Sequence, residues 1–196
     1  MNRIVTQIVD IEDGRRRRGL DNRARIVAAM LDIIREGEMS PSAEQVAARA
    51  DVGLRTVFRH FQDMESLYRE IAHAIEGEVH AMALTPFRSQ DWRERIVELV
   101  DRRSSVFENL APFKRAADTI RHRSQFLESS HGRMVQGLRG ILLRELPPEI
   151  AADNPRLEIL DLLLSFETWQ RLRREQALSP DEARRSLEAA VRRLLA

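Results

Sequence analysis

From residue 21 onward, apolar residues recur at the three- and four-residue spacing of amphipathic helices, and no segment shows the alternation of a strand. Ser, Asp and Asn precede these apolar runs at positions that suit helix caps, among them Asp63 and Ser179. Gly37 and several prolines end the runs. The pattern predicts an all-α protein. Its 196 residues suffice for one domain or two small ones.

The helical pattern also predicts the domain organisation. We expect an N-terminal domain of short helices over 21–80 and a C-terminal helical domain over 81–196, with the boundary inside a shared helix. Thr85-Pro86 and Pro112 are expected to break helices. Residues 1–20 form a separate arm that we expect to be disordered.

The composition excludes several classes of protein. Lys and Arg number 32 against 31 Asp and Glu, and the net charge of +1 argues against a uniformly basic nucleic-acid coat. Cysteine is absent, which excludes disulfides and thiolate chemistry. No apolar run has the roughly 20 residues that span a bilayer, and no secretory signal is present. We therefore expect a cytoplasmic protein without a membrane partner.

Catalytic and metal-binding motifs are also missing from the sequence. His73 and His80 share a helix face only loosely, and His122 and His131 fall on different predicted helices. The eight glycines are scattered and form no phosphate-binding loop. We expect no enzyme activity, no metal and no cofactor.

The most informative segment is 42–61, which predicts a helix-turn-helix. Ser42 and Gln45 have the spacing of a capping box, and Asp51 can adopt the left-handed conformation of a tight turn. A second short helix, about Leu54 to His60, presents hydrogen-bond donors outward: Arg55, Thr56, Arg59 and His60. Such donors on a buttressed helix suit the major groove of DNA, although they can also be ordinary surface residues.

Residues 21–71 resemble the DNA-binding domain of TetR/AcrR-type transcriptional regulators. The matching residues are the cap Ser42, the pair Val46-Ala47, the turn Ala50–Gly53, the helix Thr56–Phe61, and Glu65 with Leu67. The resemblance implies binding to double-stranded operator DNA through Ser42, Arg55, Thr56, Phe58, Arg59 and His60. Four residues depart from the family pattern: Asp51 for glycine, Gly53 for serine, Phe58 for tyrosine and Met64 for lysine. The last two remove expected phosphate contacts.

Four consecutive arginines, Arg15–Arg18, precede the first predicted helix. Such an arm can enter the minor groove or lie along phosphates, and Arg17 and Arg18 are the expected contacts. The alternative is a solvated tail with no specific role.

The resemblance also implies a small-molecule effector site among the C-terminal helices. The candidate pocket residues are Trp92, Phe107, Phe113, Phe126, Met134, Phe166 and Trp169. Aromatic residues and methionine at helical spacing are also ordinary core residues, so this alternative stays open for each of them.

The segment from Leu157 to Phe166 is apolar almost all round and requires burial on every side. A partner subunit would supply the second cover, and related regulators dimerise through their last two helices. We expect a homodimer whose interface includes Leu163, Trp169, Leu187, Val191 and Leu194.

Together with these patterns, the resemblance implies a ligand-responsive repressor that binds a palindromic operator as a homodimer and is released by a small molecule. The alternative is a helical adaptor or structural dimer that has kept the fold without sequence-specific DNA binding. The departures at Phe58 and Met64 are the reason for considering this alternative.

Overall fold

The computed structural model describes residues 21–196, and every regular element in this range is helical, which confirms the all-α prediction. The helices are α1 (21–35), α2 (Ala43–Arg49), α3 (Leu54–His60), α4 (Met64–Leu84), α5 (Trp92–Arg121), α6 (Gln125–Glu145), α7 (Pro148–Ala151), α8 (Asn154–Leu163), α9 (Phe166–Gln170) and α10 (Pro180–Leu195), with a π-helical turn at Arg171–Glu175. The arm 1–20, with Arg17 and Arg18, lies outside the described residues.

These helices form two compact units. The first contains residues 21–71 and Pro112–Ser124, and the second contains Ala72–Ala111 and Gln125–Ala196. Two of the three limits between the units fall inside α4 and α5, and the third falls directly before α6. The consecutive domains 21–80 and 81–196 stay a prediction.

The first unit is built on one apolar face of α1. Ile26, Met30 and Ile34 are buried there, and Val57 and Leu67 belong to the same core. Gly37 ends α1 in a left-handed conformation, with φ of +109°. This turn lets the amides of Gly37 and Glu38 donate to Ile34 and Ile33, over 3.1 and 3.3 Å, and so satisfies the last carbonyls of the helix.

The predicted caps of α2 and α4 are present. The Ser42 hydroxyl accepts a hydrogen bond from the amide of Gln45, and the Gln45 side chain accepts one from the amide of Ser42. Asp63 accepts a hydrogen bond of 2.7 Å from the amide of Ser66 at the start of α4. Each cap satisfies amides that a helix start leaves without partners.

In α5 the structure departs from the sequence prediction. The helix continues through Pro112, which was expected to interrupt it. Ala111 and Phe113 are buried on either side of the proline. Burial along the helix therefore outweighs the roughly 3 kcal/mol that an internal proline costs.

The segment Leu157–Phe166 is two helices rather than one apolar helix. Ser165 caps α9 by accepting a hydrogen bond from the amide of Thr168, so the chain turns between α8 and α9. Leu157 and Leu160 are buried, whereas Ile159 and Leu162 are 47% and 62% exposed. The turn therefore directs some of these side chains into the unit and leaves others on its surface.

Two charged side chains of α5, Arg103 and Glu108, form hydrogen bonds with later parts of the second unit. The buried guanidinium of Arg103 donates to the carbonyl of Leu164 over 2.7 Å and to that of Leu138 over 2.6 Å. Burial lowers the pKa of Arg103 to about 10, a value at which the group stays charged at neutral pH. Glu108 accepts hydrogen bonds from Trp169 Nε1 over 2.8 Å and from Arg173 Nε over 2.7 Å.

Backbone conformation supplies a stability test. Ala177 has φ of +54°, where an alanine costs about 1–2 kcal/mol relative to glycine. We expect Ala177→Gly to raise the free energy of unfolding by about 0.5–1 kcal/mol, after the larger entropy of glycine in the unfolded chain is subtracted. Urea denaturation measures the difference. Gly37→Ala is the matched control and should lower the free energy of unfolding, because it places an alanine at a positive φ. A loss of stability in Ala177→Gly would contradict the argument.

Candidate nucleic-acid interface

The turn between α2 and α3 is closed by backbone hydrogen bonds around Asp51. Its φ of +51° lets the amide of Val52 donate to the carbonyl of Ala47 over 3.0 Å. Gly53 then starts α3, and its carbonyl accepts a 2.8 Å hydrogen bond from the amide of Thr56. The predicted left-handed residue and the predicted limits of the second helix are therefore both observed.

Helix α3 has one narrow buried side. Val57 is its only buried residue, and Phe61 is buried directly after the helix. Arg55 and Arg59 are exposed, and Thr56 is half-buried. The ring of Phe58 is 47% exposed, so it lies on the surface of α3. The structure thus places the predicted arginines on the outer side of a helix that is anchored by its opposite side.

Two arginines of α1, which sequence reasoning missed, anchor the ends of α2 and α3. Arg25 Nη2 donates to the carbonyls of Ala50 and Asp51 over 2.5 and 3.2 Å. Arg23 donates to the carbonyl of His60 over 3.0 Å, and its guanidinium lies 4.4 Å from the centroid of the Phe61 ring. Helix ends leave carbonyls without partners, and this need for donors is the signal that could have found both residues.

Ion pairing separates the arginines of α3 from the others in this part of the chain. Five of the seven arginines between residues 21 and 71 pair with a carboxylate: Arg23, Arg25, Arg35, Arg49 and Arg69. Arg55 and Arg59 have no ion pair within residues 21–196. Their guanidinium donors are therefore available to an external acceptor.

His60 is placed differently from Arg55 and Arg59. Its Nε2 atom is buried and has no hydrogen-bond partner among the described residues. Burial lowers the pKa of His60, and the nearby charges of Arg59 and Arg23 lower it further. A neutral ring with a shielded Nε2 is poorly suited to the DNA contact that the sequence predicts for His60. Ser42 is exposed, but its hydroxyl is engaged in the cap of α2.

The seven predicted pocket residues do not converge on one cavity. Phe113 lies in the first unit, where the Arg35 guanidinium is 5.1 Å from its ring centroid. Phe107, Phe166 and Trp169 are buried core residues, and Trp92 and Phe126 are partly exposed. Phe107 and Trp169 line a cavity of about 10 Å³, whereas Met134 lines a separate groove of about 420 Å³.

The predicted dimer residues differ in their exposure, and the interface itself stays a prediction. Trp169, Leu187 and Val191 are buried inside their own unit, so their side chains offer little apolar surface to a partner. Leu163 lines the small cavity beside Arg103, and Leu194 is partly exposed. In α8 the exposed large apolar side chains are those of Ile159 and Leu162.

Other kinds of site receive no support in the part of the chain that the structure describes. No group of three His, Asp or Glu side chains in residues 21–196 is placed to hold a metal ion. Among the same residues, no helix combines the length and apolarity needed to cross a membrane.

A helix-turn-helix followed by a long helix, together with a second all-helical unit, is the fold of TetR-family regulators, and solved structures match it. A Streptomyces coelicolor A3(2) protein described as a transcriptional regulator is 24% identical, with a TM-score of 0.61, over 88% of this chain and 97% of its own. A TetR-family regulator from Rhodococcus sp. is 18% identical, with a TM-score of 0.66, over 89% and 99%.

A TetR-family regulator from Streptomyces coelicolor is 16% identical, with a TM-score of 0.68, over 88% of this chain and 79% of its own. At the level of sequence, no protein-family model and no curated protein matches the chain. The resemblance predicted from residues 21–71 is thus confirmed as a likeness in fold that extends over most of the chain.

The environment of His60 leads to a titration test. Because folding lowers its pKa below the ordinary value of 6.5, the unfolded chain binds more protons between the two pKa values. This residue therefore adds to stability above pH 6.5, and its contribution is lost as the pH falls through the folded pKa. We expect its imidazole NMR signal, assigned by its loss in His60→Gln, to titrate below 6.5. A titration midpoint at or above pH 6.5 would contradict the burial of the His60 ring.

Proposed function

We propose that this protein is a DNA-binding transcriptional regulator that inserts α3 into the major groove of its operator. The observation that carries the proposal is the pair of exposed arginines on α3, Arg55 and Arg59, which have no ion pair in the described part of the chain. The other arginines of residues 21–71 are neutralised by carboxylates within the unit. Two exposed guanidinium groups on one short helix, neither neutralised by a carboxylate of the described residues, make α3 an anion-seeking surface.

The chemistry of α3 suits a base edge as well as a phosphate. A guanidinium can donate two hydrogen bonds to guanine O6 and N7, which is the commonest base-specific contact. Leu54 and Phe58, 38% and 47% exposed, are apolar neighbours on the same helix and can contact a thymine methyl group. This combination favours sequence-specific binding over a purely electrostatic attraction.

The regulator is proposed to act as a homodimer on a palindromic operator. Two copies of α3 must lie about 34–36 Å apart to enter successive major grooves on one face of DNA. Bound at a promoter, the dimer would repress transcription by occlusion. A small molecule that favours another spacing would release it by its differential binding energy for the two states.

The surface of α8 supports self-association. Ile159 and Leu162 are one helical turn apart and both exposed, so they form one apolar edge. The same helix carries Glu158 and Asp161, which both bind Arg139 through ion pairs of 2.6 and 2.8 Å. An apolar edge beside neutralised charges is suited to contact with a second copy.

Arginine variants test the DNA contact. We expect Arg55→Ala or Arg59→Ala to weaken binding to an operator selected from random DNA by about 1–3 kcal/mol if the residue contacts a guanine. If it contacts phosphate, all sequences should weaken together and the salt dependence should decrease. Fluorescence anisotropy at two salt concentrations measures both effects.

The matched control for these variants is Arg35→Ala. It removes the same charge from the first unit, but Arg35 is paired with Asp32 and lies outside the helix-turn-helix. Its DNA affinity should stay close to that of the parent protein. Undiminished binding by both α3 variants would exclude α3 as the contact, and a parent protein with no salt-dependent binding would favour the adaptor alternative.

A second pair of variants tests the dimer. We expect Leu162→Glu to give a folded monomer, because a carboxylate stranded in an apolar contact costs several kcal/mol. Analytical ultracentrifugation at micromolar concentration measures the mass. Leu84→Glu, at a leucine that is 69% exposed at the end of α4, is the control and should stay dimeric. A monomeric parent protein, or a dimeric Leu162→Glu variant, would contradict the assigned surface.

A further inference from the structure

A groove of about 420 Å³ lies between α4 and α6 in the second unit. Its volume is in the range of small-molecule sites, which is roughly 300–1,000 Å³. Of the seven pocket residues predicted from the sequence, Met134 is the one that lines this groove. The groove is therefore distinct from the aromatic core around Phe107 and Trp169, where the cavity holds about 10 Å³.

The floor of the groove is apolar. Val79 of α4, and Met134 and Ile141 of α6, are its buried hydrophobic members. Gly140 also lines it, and a Cβ atom added at Gly140 would meet no atom within 4 Å. Glycine inside a helix costs about 1 kcal/mol relative to alanine, and no atom of the described chain requires its small size at this position.

The charges around the groove do not balance. Arg133 is paired with Glu76 over 2.8 Å. Although burial raises the pKa of Glu76, hydrogen bonds from Ser130 and Arg133 outweigh it and hold that pKa below the ordinary value, so this carboxylate is ionised. Arg144 also lines the groove and has no ion pair within residues 21–196, which leaves one excess positive charge. His80, another lining residue, can donate a hydrogen bond in either protonation state.

We propose that this groove binds an amphipathic organic anion, with a carboxylate at Arg144 and an apolar chain along Val79, Met134 and Ile141. Arg144 is exposed, so an uncharged apolar ligand would gain no charge-assisted contact with its guanidinium, and a cationic one would be repelled by it. The regulatory meaning of this site rests on the small-molecule response proposed above, whereas binding itself is independent of DNA.

The experiment is isothermal titration calorimetry on the full chain with decanoate, decanol and decyltrimethylammonium, each below its micellar concentration. We expect one decanoate per chain, bound roughly tenfold or more tightly than decanol because of the charge-assisted contact, and no measurable binding of the cation. Arg144→Gln should remove the preference for decanoate over decanol. Arg174→Gln, at an exposed arginine outside the groove, should keep it.

A shape variant tests the same site independently of charge. Gly140→Leu should fill the groove and abolish binding of both decanoate and decanol. Gly132→Leu is its matched control, because Gly132 lies in the same helix, has no atom within 4 Å of an added Cβ, and does not line the groove. Both changes replace a helical glycine by a better helix former, so loss of the fold is not expected.

Three results would overturn the proposal: equal affinity for decanoate and the cation, unchanged decanoate selectivity in Arg144→Gln, or equal loss of binding in the two glycine variants. DNA affinity is measured separately on the same proteins. A chain that binds decanoate but not DNA would retain this site and refute the proposed function. A chain that binds DNA but not decanoate would refute this site and retain the proposed function.

Discussion

The orientation of α3 depends on two guanidinium groups of α1, which bind carbonyls at the ends of α2 and α3. Helices α2 and α3 have seven residues each, and helices so short are not stable in isolation. Arg25 binds the carbonyls that end α2, and Arg23 binds the carbonyl of His60 while lying over Phe61. Each contact satisfies a polar group that would otherwise lose hydrogen bonds on burial, so the anchoring of α3 follows from a requirement of the helix ends themselves.

The same internal pairing determines where the protein can attract other molecules. Carboxylates neutralise the guanidinium groups that hold the first unit together, whereas Arg55 and Arg59, which have no ion pair within residues 21–196, lie on the exposed side of α3. In the second unit, Glu76 neutralises Arg133 and leaves Arg144 beside an apolar groove. A chain with a net charge of only +1 can therefore present localised positive surfaces of two kinds, one suited to a nucleic acid and one to a small amphipathic anion.

The likeness to TetR-family structures at 16–24% identity has a physical basis in how helical cores are specified. Apolar volume at the right helical positions is enough to maintain a fold, so many different side chains can fill equivalent cores. A charged group inside such a core has a stricter requirement. Here the buried Arg103 joins α5 to the carbonyls of Leu138 and Leu164, a solution that needs good geometry at both acceptors because the guanidinium is out of water.

The sequence by itself determined the features that depend on neighbours a few residues away: the helical class, the caps at Ser42, Asp63 and Ser179, the left-handed Asp51 and the limits of α3. These follow from backbone hydrogen bonds within one turn and from side-chain periodicity. Tertiary structure decided the continuity of α5 through Pro112, the shielding of His60, the burial of Trp169 and Val191, and the groove beside Gly140. Those features depend on which helix faces meet, because periodicity shows that a face is apolar but not what covers it.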